Sequence, residues 1–90
     1  MVVCFTLDGR RSEVNAPPGT SLLDAARRAR SDVPFACRGG VCATCRARVV
    51  GGEVEMVRNF ALEDDEVAKG YVLTCQSYPR SEGVEVDYDA

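Results

Sequence analysis

Ninety residues, 46% of them hydrophobic, bound this chain to one small folded domain that buries roughly 60–65% of its unfolded surface and gains from a staple such as a metal centre. Eleven basic against fourteen acidic residues leave a net charge of −3, which argues against nucleic acid as a partner, and zero histidines remove the commonest general base. No apolar run approaches the roughly 18 residues a membrane helix needs, and the N-terminal stretch lacks the basic-then-apolar pattern of a signal peptide, so the expected compartment is the cytoplasm.

In chain order, Val3, Phe5 and Leu7 alternate with Val2, Cys4 and Thr6, the two-residue period of a strand. Asp8-Gly9 suits the positive φ angles of a type I′ turn and leads into a second strand over residues 10–16. Pro17, Pro18 and Gly19 stop that strand, and Ser21 then caps a helix with Asp24 at its third position. Leu22, Ala25, Ala26 and Ala29 make the apolar face of this helix, with Arg27, Arg28 and Arg30 looking outward. Val33-Pro34 ends the helical region, because the residue before proline is pushed away from α geometry. A cysteine loop over 35–45 follows. Residues 46–50 and 53–57 then read as a hairpin around Gly51-Gly52. Residues 62–69 read as a short acidic helix closed by Gly70, and 71–74 as an extended segment that delivers Cys75. Val84, Val86 and Tyr88 alternate with Glu85 and Asp87 in a last strand. The order β-β-α-loop-β-β-α-β predicts an α+β domain, a small mixed sheet covered on one face by one main helix.

Five cysteines are an odd count for a disulfide framework and a natural one for four ligands plus a spare. Cys37, Cys42 and Cys45 are spaced C-x4-C-x2-C, and Cys75 follows after 29 further residues. This is the ligand set of a plant-type [2Fe–2S] cluster: each iron takes two thiolates, so four cysteines complete both tetrahedral sites, and the centre carries one electron at a time. A Rieske-type pair is excluded by the lack of histidine, and a reducing compartment keeps the thiolates available. Within FACRGGVCATC, Gly39 and Gly40 leave backbone N–H groups free to turn toward sulfur, as a nest wraps an anion. Arg38 either adds a cation beside the cluster or braces the loop through an ion pair, the second being favoured, because an arginine is easier to hold in a salt bridge than against sulfur. Thr44 either donates to a sulfur or bonds backbone.

The alternative for the four cysteines is structural zinc in a redox-inert interaction module. Zinc sites generally use two short cysteine pairs, however, and here Cys75 stands apart in sequence. Cys4 reads as a small apolar strand residue, and Phe35, Phe60, Tyr71 and Tyr78 as packing. No G-x-G-x-x-G and no Walker-type loop occurs, so no nucleotide site and no catalytic turnover are expected from these residues. Charge divides unevenly: residues 1–50 carry eight arginines against four acids, +4, and residues 51–90 three bases against ten acids, −7. Such a dipolar surface suits brief, steered docking with a protein, although Glu63, Asp64, Asp65 and Glu66 taken alone read equally well as a solvated helix face.

CRGGVCATC followed by GYVLTCQSYP resembles the plant-type ferredoxin family over essentially the whole chain. The resemblance implies the β-grasp fold with a cluster-binding loop. It implies Cys37 and Cys42 on the iron nearer the surface, which takes the electron, and Cys45 and Cys75 on the inner one. More narrowly, PFACRGGVCATCRARVVGGEVEM, NFALEDDEVAKGYVLTCQSYP and the ending VEVDYDA resemble the C-terminal ferredoxin domain in reductases of bacterial multicomponent oxygenases of the phenylacetyl-CoA epoxidase type. That likeness implies a flavin-dependent reductase, fused or separate, as electron donor and an oxygenase component or other redox acceptor. The chain is then either a free-standing ferredoxin or one domain of a longer protein. Val41 and Ala43 stand where photosynthetic members carry hydroxyls, which implies a potential in the neighbourhood of, or below, the plant-type value of roughly −400 mV.

Overall fold

The computed structural model describes residues 1–33, 45–59 and 61–90. Its elements are β1 (Val2–Leu7), β2 (Arg10–Asn15), α1 (Leu22–Ala29), β3 (Arg46–Gly51), β4 (Val54–Met56), α2 (Asp64–Ala68), β5 (Tyr71–Leu73), a 3-10 turn (Thr74–Gln76), β6 (Ser77–Pro79) and β7 (Val84–Asp87). Five strands form a mixed sheet in the order β2-β1-β7-β3-β5, in which β1 and β7 run parallel and the other neighbours antiparallel. β4 and β6 make a separate two-stranded sheet. The sheet with its one main helix is the predicted α+β, β-grasp arrangement.

The first hairpin follows from its turn. Asp8 and Gly9 both adopt positive φ, +54° and +74°, and the Asp89 carboxylate accepts from both of their amides at 2.8 Å. Alternation then decides the faces: Val3, Phe5, Leu7, Val84 and Val86 turn inward and are buried. α1 closes this face. The Ser21 hydroxyl accepts from the Asp24 amide at 3.1 Å, as the sequence predicts, and Leu22, Leu23, Ala25 and Ala26 are buried.

Four expectations need correction. Ala29, the last residue of the helix, is exposed, and Leu23 is buried in the core in its place. Arg30 does not look outward. Its side chain is only 10% exposed, donating to the Leu7 carbonyl at 2.7 Å and to both Asp32 carboxylate oxygens at 3.0 and 2.5 Å. β3 and β4 do not pair around Gly51-Gly52: β3 lies between β7 and β5, and β4 joins β6. Gly52 serves close approach instead. A Cβ on Gly52 would stand 2.7 Å from the Val84 Cα, and the β3–β7 register shifts between Val49 and Gly51. Finally, α2 spans five residues rather than eight, and β6, ending on a proline, has no counterpart in the predicted element order.

Candidate metal centre

Two of the four predicted ligands lie among the described residues. Cys45 immediately precedes β3 and Cys75 sits inside the 3-10 turn that follows β5; they are 1% and 7% exposed and belong to the hydrophobic core. β3 and β5 pair antiparallel with Arg46 opposite Leu73, so the two cysteine-bearing ends leave the sheet side by side. Thr74 then closes the junction. Its amide and its hydroxyl both donate to the Cys45 carbonyl, at 3.2 and 2.8 Å. Two hydrogen bonds to one acceptor thus clamp the residue before Cys75 onto Cys45 itself.

The turn is braced from both sides. The Ser77 hydroxyl donates to the Leu73 carbonyl at 2.8 Å, the Gln76 carbonyl accepts from the Val57 amide at 2.9 Å, and the Leu73 amide faces the Met56 Sδ at 3.4 Å. The Tyr88 hydroxyl donates to Thr74 Oγ1 at 3.0 Å. Burial pushes the Tyr88 phenol up to about 12, with Cys45 and Cys75 acting in the same direction and the Thr74 bond opposing. On the outer side the Arg46 guanidinium lies 5.0 Å over the Tyr71 ring and pairs with Glu66 at 2.7 Å. Among the described residues, no buried side-chain nitrogen or oxygen lacks a partner.

Cys37, Arg38, Gly39, Gly40, Cys42 and Thr44 lie outside the described residues, as do Phe35 and Phe60. The two sulfur donors that are described fit an iron–sulfur centre. They are soft thiol ligands, buried away from water, with no histidine or carboxylate between them. Among the described residues no group of three His, Cys, Asp or Glu side chains is placed to hold a metal ion. Cys4 stands apart on β1, buried, its Sγ 3.8 Å from Glu13 Oε2. Burial raises its thiol above the usual cysteine range, as for an inert strand residue.

Thr74 and Tyr88 are the functional residues that sequence reasoning passed over. The signal for Thr74 is a single hydroxyl inside the apolar run YVLTC, which once buried must find a partner. For Tyr88 it is the alternation of Val84 and Val86 continued by a ring with a polar tip, although the strand expected to include it ends at Asp87 and leaves Tyr88 in the turn beyond.

Comparison with known proteins agrees with this geometry. Residues 5–80 match the family of 2Fe-2S iron–sulfur cluster binding domains. A component of the 1,2-phenylacetyl-CoA epoxidase of Escherichia coli is 53% identical over 85 residues, 92% of this chain and 24% of that protein. The chloroplastic ferredoxin-6 of Zea mays is 44% identical over 77 residues, 86% of this chain and 50% of that one. Among solved structures, phthalate dioxygenase reductase, described as a modular structure for electron transfer from pyridine nucleotides to [2Fe–2S], superposes with a TM-score of 0.70 at 31% identity over 96% of this chain and 26% of its own. The chain thus spans a quarter to a half of the length of these relatives.

Proposed function

The chain belongs to the family of 2Fe-2S iron–sulfur cluster binding domains, and on that premise we propose that Cys37, Cys42, Cys45 and Cys75 hold its [2Fe–2S] cluster within a single ferredoxin domain of residues 1–90. A domain of this family is an electron carrier and not itself a catalyst: when bound, the cluster takes up and gives back one electron. The observation that carries the ligand assignment is the double hydrogen bond from Thr74 to the Cys45 carbonyl, which brings two buried sulfur donors together from segments 29 residues apart. Cys37 and Cys42 complete the set from the loop. With them we assign Arg38, Gly39, Gly40 and Thr44 to the cluster-binding loop, Arg38 either as a cation beside the cluster or as a brace.

The chain's own contribution is pre-organisation and exclusion of water. Cys45 and Cys75 sit in the apolar core, whose low dielectric helps set the potential at which an electron is accepted. The likeness to the phenylacetyl-CoA epoxidase component and to a pyridine-nucleotide-dependent dioxygenase reductase supports a flavin-dependent reductase as donor, on the same polypeptide or another. It supports an oxygenase component as acceptor. No helix among the described residues is long and apolar enough to cross a membrane. The compartment we propose is the cytoplasm, whose reducing conditions keep cysteine thiolates available to metal. The family match leaves the structural-zinc reading without support.

A visible spectrum of the purified protein before and after dithionite, with iron and sulfide assayed on the same sample, tests the reading. Bands between about 400 and 500 nm that bleach on reduction, with about two irons and two sulfides per chain, are expected. A colourless protein with one zinc that reconstitution fails to displace would overturn it.

A further inference from the structure

We propose that Tyr88 is a positioning residue for the inner half of the metal centre, its hydroxyl acting through Thr74 to hold Cys45 and Cys75 at a constant separation. The inference rests on the proposed ligation by those two cysteines. The direction of the relay follows from the donors. The Cys45 carbonyl can only accept, so the single Thr74 hydroxyl proton points at it across 2.8 Å. Thr74 Oγ1 then has only lone pairs left for Tyr88, which must be the donor across 3.0 Å. Donation by the phenol polarises the threonine hydroxyl and strengthens its bond to the Cys45 carbonyl. It also leaves that hydroxyl a single rotational state.

Tyr88 can serve because it is itself held from elsewhere. Its amide donates to the Thr6 carbonyl at 2.9 Å, and its ring meets Phe5 edge-to-face, the centroids 6.1 Å apart at 89°. Phe5 is fully buried. The rigid parallel pair β1–β7 is thereby connected, through one phenol and one hydroxyl, to the junction that carries both inner ligands. Thr74 is completely buried, so water offers no substitute for a missing phenol.

The test compares cluster-loaded wild type with Tyr88→Phe, Thr74→Ser, Thr74→Val and the Tyr88→Phe/Thr74→Val double variant. Cluster loss to a chelator is followed by absorbance, and exchange of the Thr74 amide by NMR of the loaded protein. Tyr88→Phe keeps the ring contact with Phe5 and is expected to release the cluster roughly fivefold faster, the scale of one neutral hydrogen bond. Thr74 amide exchange should rise with it, while the Tyr88 amide stays protected. Thr74→Ser should retain the wild-type rate, and the double variant should be no faster than Thr74→Val alone, because the phenol acts only through the hydroxyl. Release by Tyr88→Phe at the wild-type rate, or effects of the two single changes that multiply, would overturn the positioning role. A Cys75→Ala control separates the two levels. If it retains the full spectrum, the ligand assignment fails; if it loses the cluster while Tyr88→Phe behaves as wild type, the positioning role alone fails.

Discussion

The two helices of this domain open in similar ways and are held by different forces. α1 begins at a serine cap and buries Leu22, Leu23, Ala25 and Ala26 against the sheet. α2 begins where the Glu66 carboxylate reaches back to the Glu63 amide at 3.1 Å, buries none of its residues and leaves Val67 40% exposed. What ties α2 down is polar: the ion pair from Glu66 to Arg46, the residue after Cys45, and the Arg48 guanidinium donating to the Lys69 carbonyl at 3.0 Å. The lesson is a division of labour. Packing of α1 makes the scaffold, while α2 is a charged flap fastened next to the metal centre by interactions that salt and pH can loosen.

Deleting the packing should produce the largest effect. Leu23→Ala removes a fully buried side chain from α1, with an expected loss of about 2–5 kcal/mol and a fall in Tm of roughly 10–30 °C by calorimetry. Its counterpart Val67→Ala on α2 should leave Tm nearly unchanged, and a large drop there would erase the distinction between the helices. Ser21→Ala should cost about 1 kcal/mol, because it orphans the Asp24 amide, and Ser21→Asp should restore most of it.

The electrostatic half predicts a pH response in α2, as the depressed carboxyls of Asp32 beside Arg30 and of Asp89 at the Asp8-Gly9 turn do at their own sites. The Glu63 amide, and after it the Arg46 guanidinium, hold the Glu66 carboxyl below its ordinary value. A depressed acid stabilises the fold above its unfolded pKa and loses that contribution as pH falls through the folded value. Protection of the α2 amides, measured as exchange relative to the intrinsic rate at each pH, should therefore fall below about pH 4 by more than that of the buried turns of α1, and Glu66→Gln should remove the pH dependence in α2. Arg46→Ala should give the smallest change, detectable at low ionic strength and gone in about 1 M salt, where the screening length is about 3 Å. Persistence of the effect at high salt would show that the Tyr71 stacking, rather than the ion pair, holds the flap. Cys4→Ser should leave the visible spectrum intact, since that thiol sits beside Glu13 on the far side of β1 from the core.

Features legible from sequence are those decided within a few residues. The Asp8-Gly9 turn, the Ser21 cap and the inward set of β1 and β7 depend on local dihedral preference and the two-residue period of a strand, and all three stand in the fold. Three of the four cysteines fall within nine residues, and that spacing together with the distant Cys75 made the [2Fe–2S] chemistry readable from residue type alone. Pairing partners were not. Gly51-Gly52 carries a hairpin signature, yet the chain there passes so near Val84 that glycine is required for clearance, and β4 goes to another sheet. Arg30 has the composition of a solvated helix end, but the strand end beneath it offers the Leu7 carbonyl and draws the side chain in.

The order of residues thus set most of the elements, the polarity of most of their faces and the [2Fe–2S] chemistry, because these depend on short-range sterics or on residue type and spacing. Tertiary structure alone decided which strands are neighbours, and that Thr74 and Tyr88 meet at the Cys45 carbonyl, contacts spanning 29 and 14 residues. Such contacts depend on loop closure and on burial across the whole chain, and no local pattern encodes them.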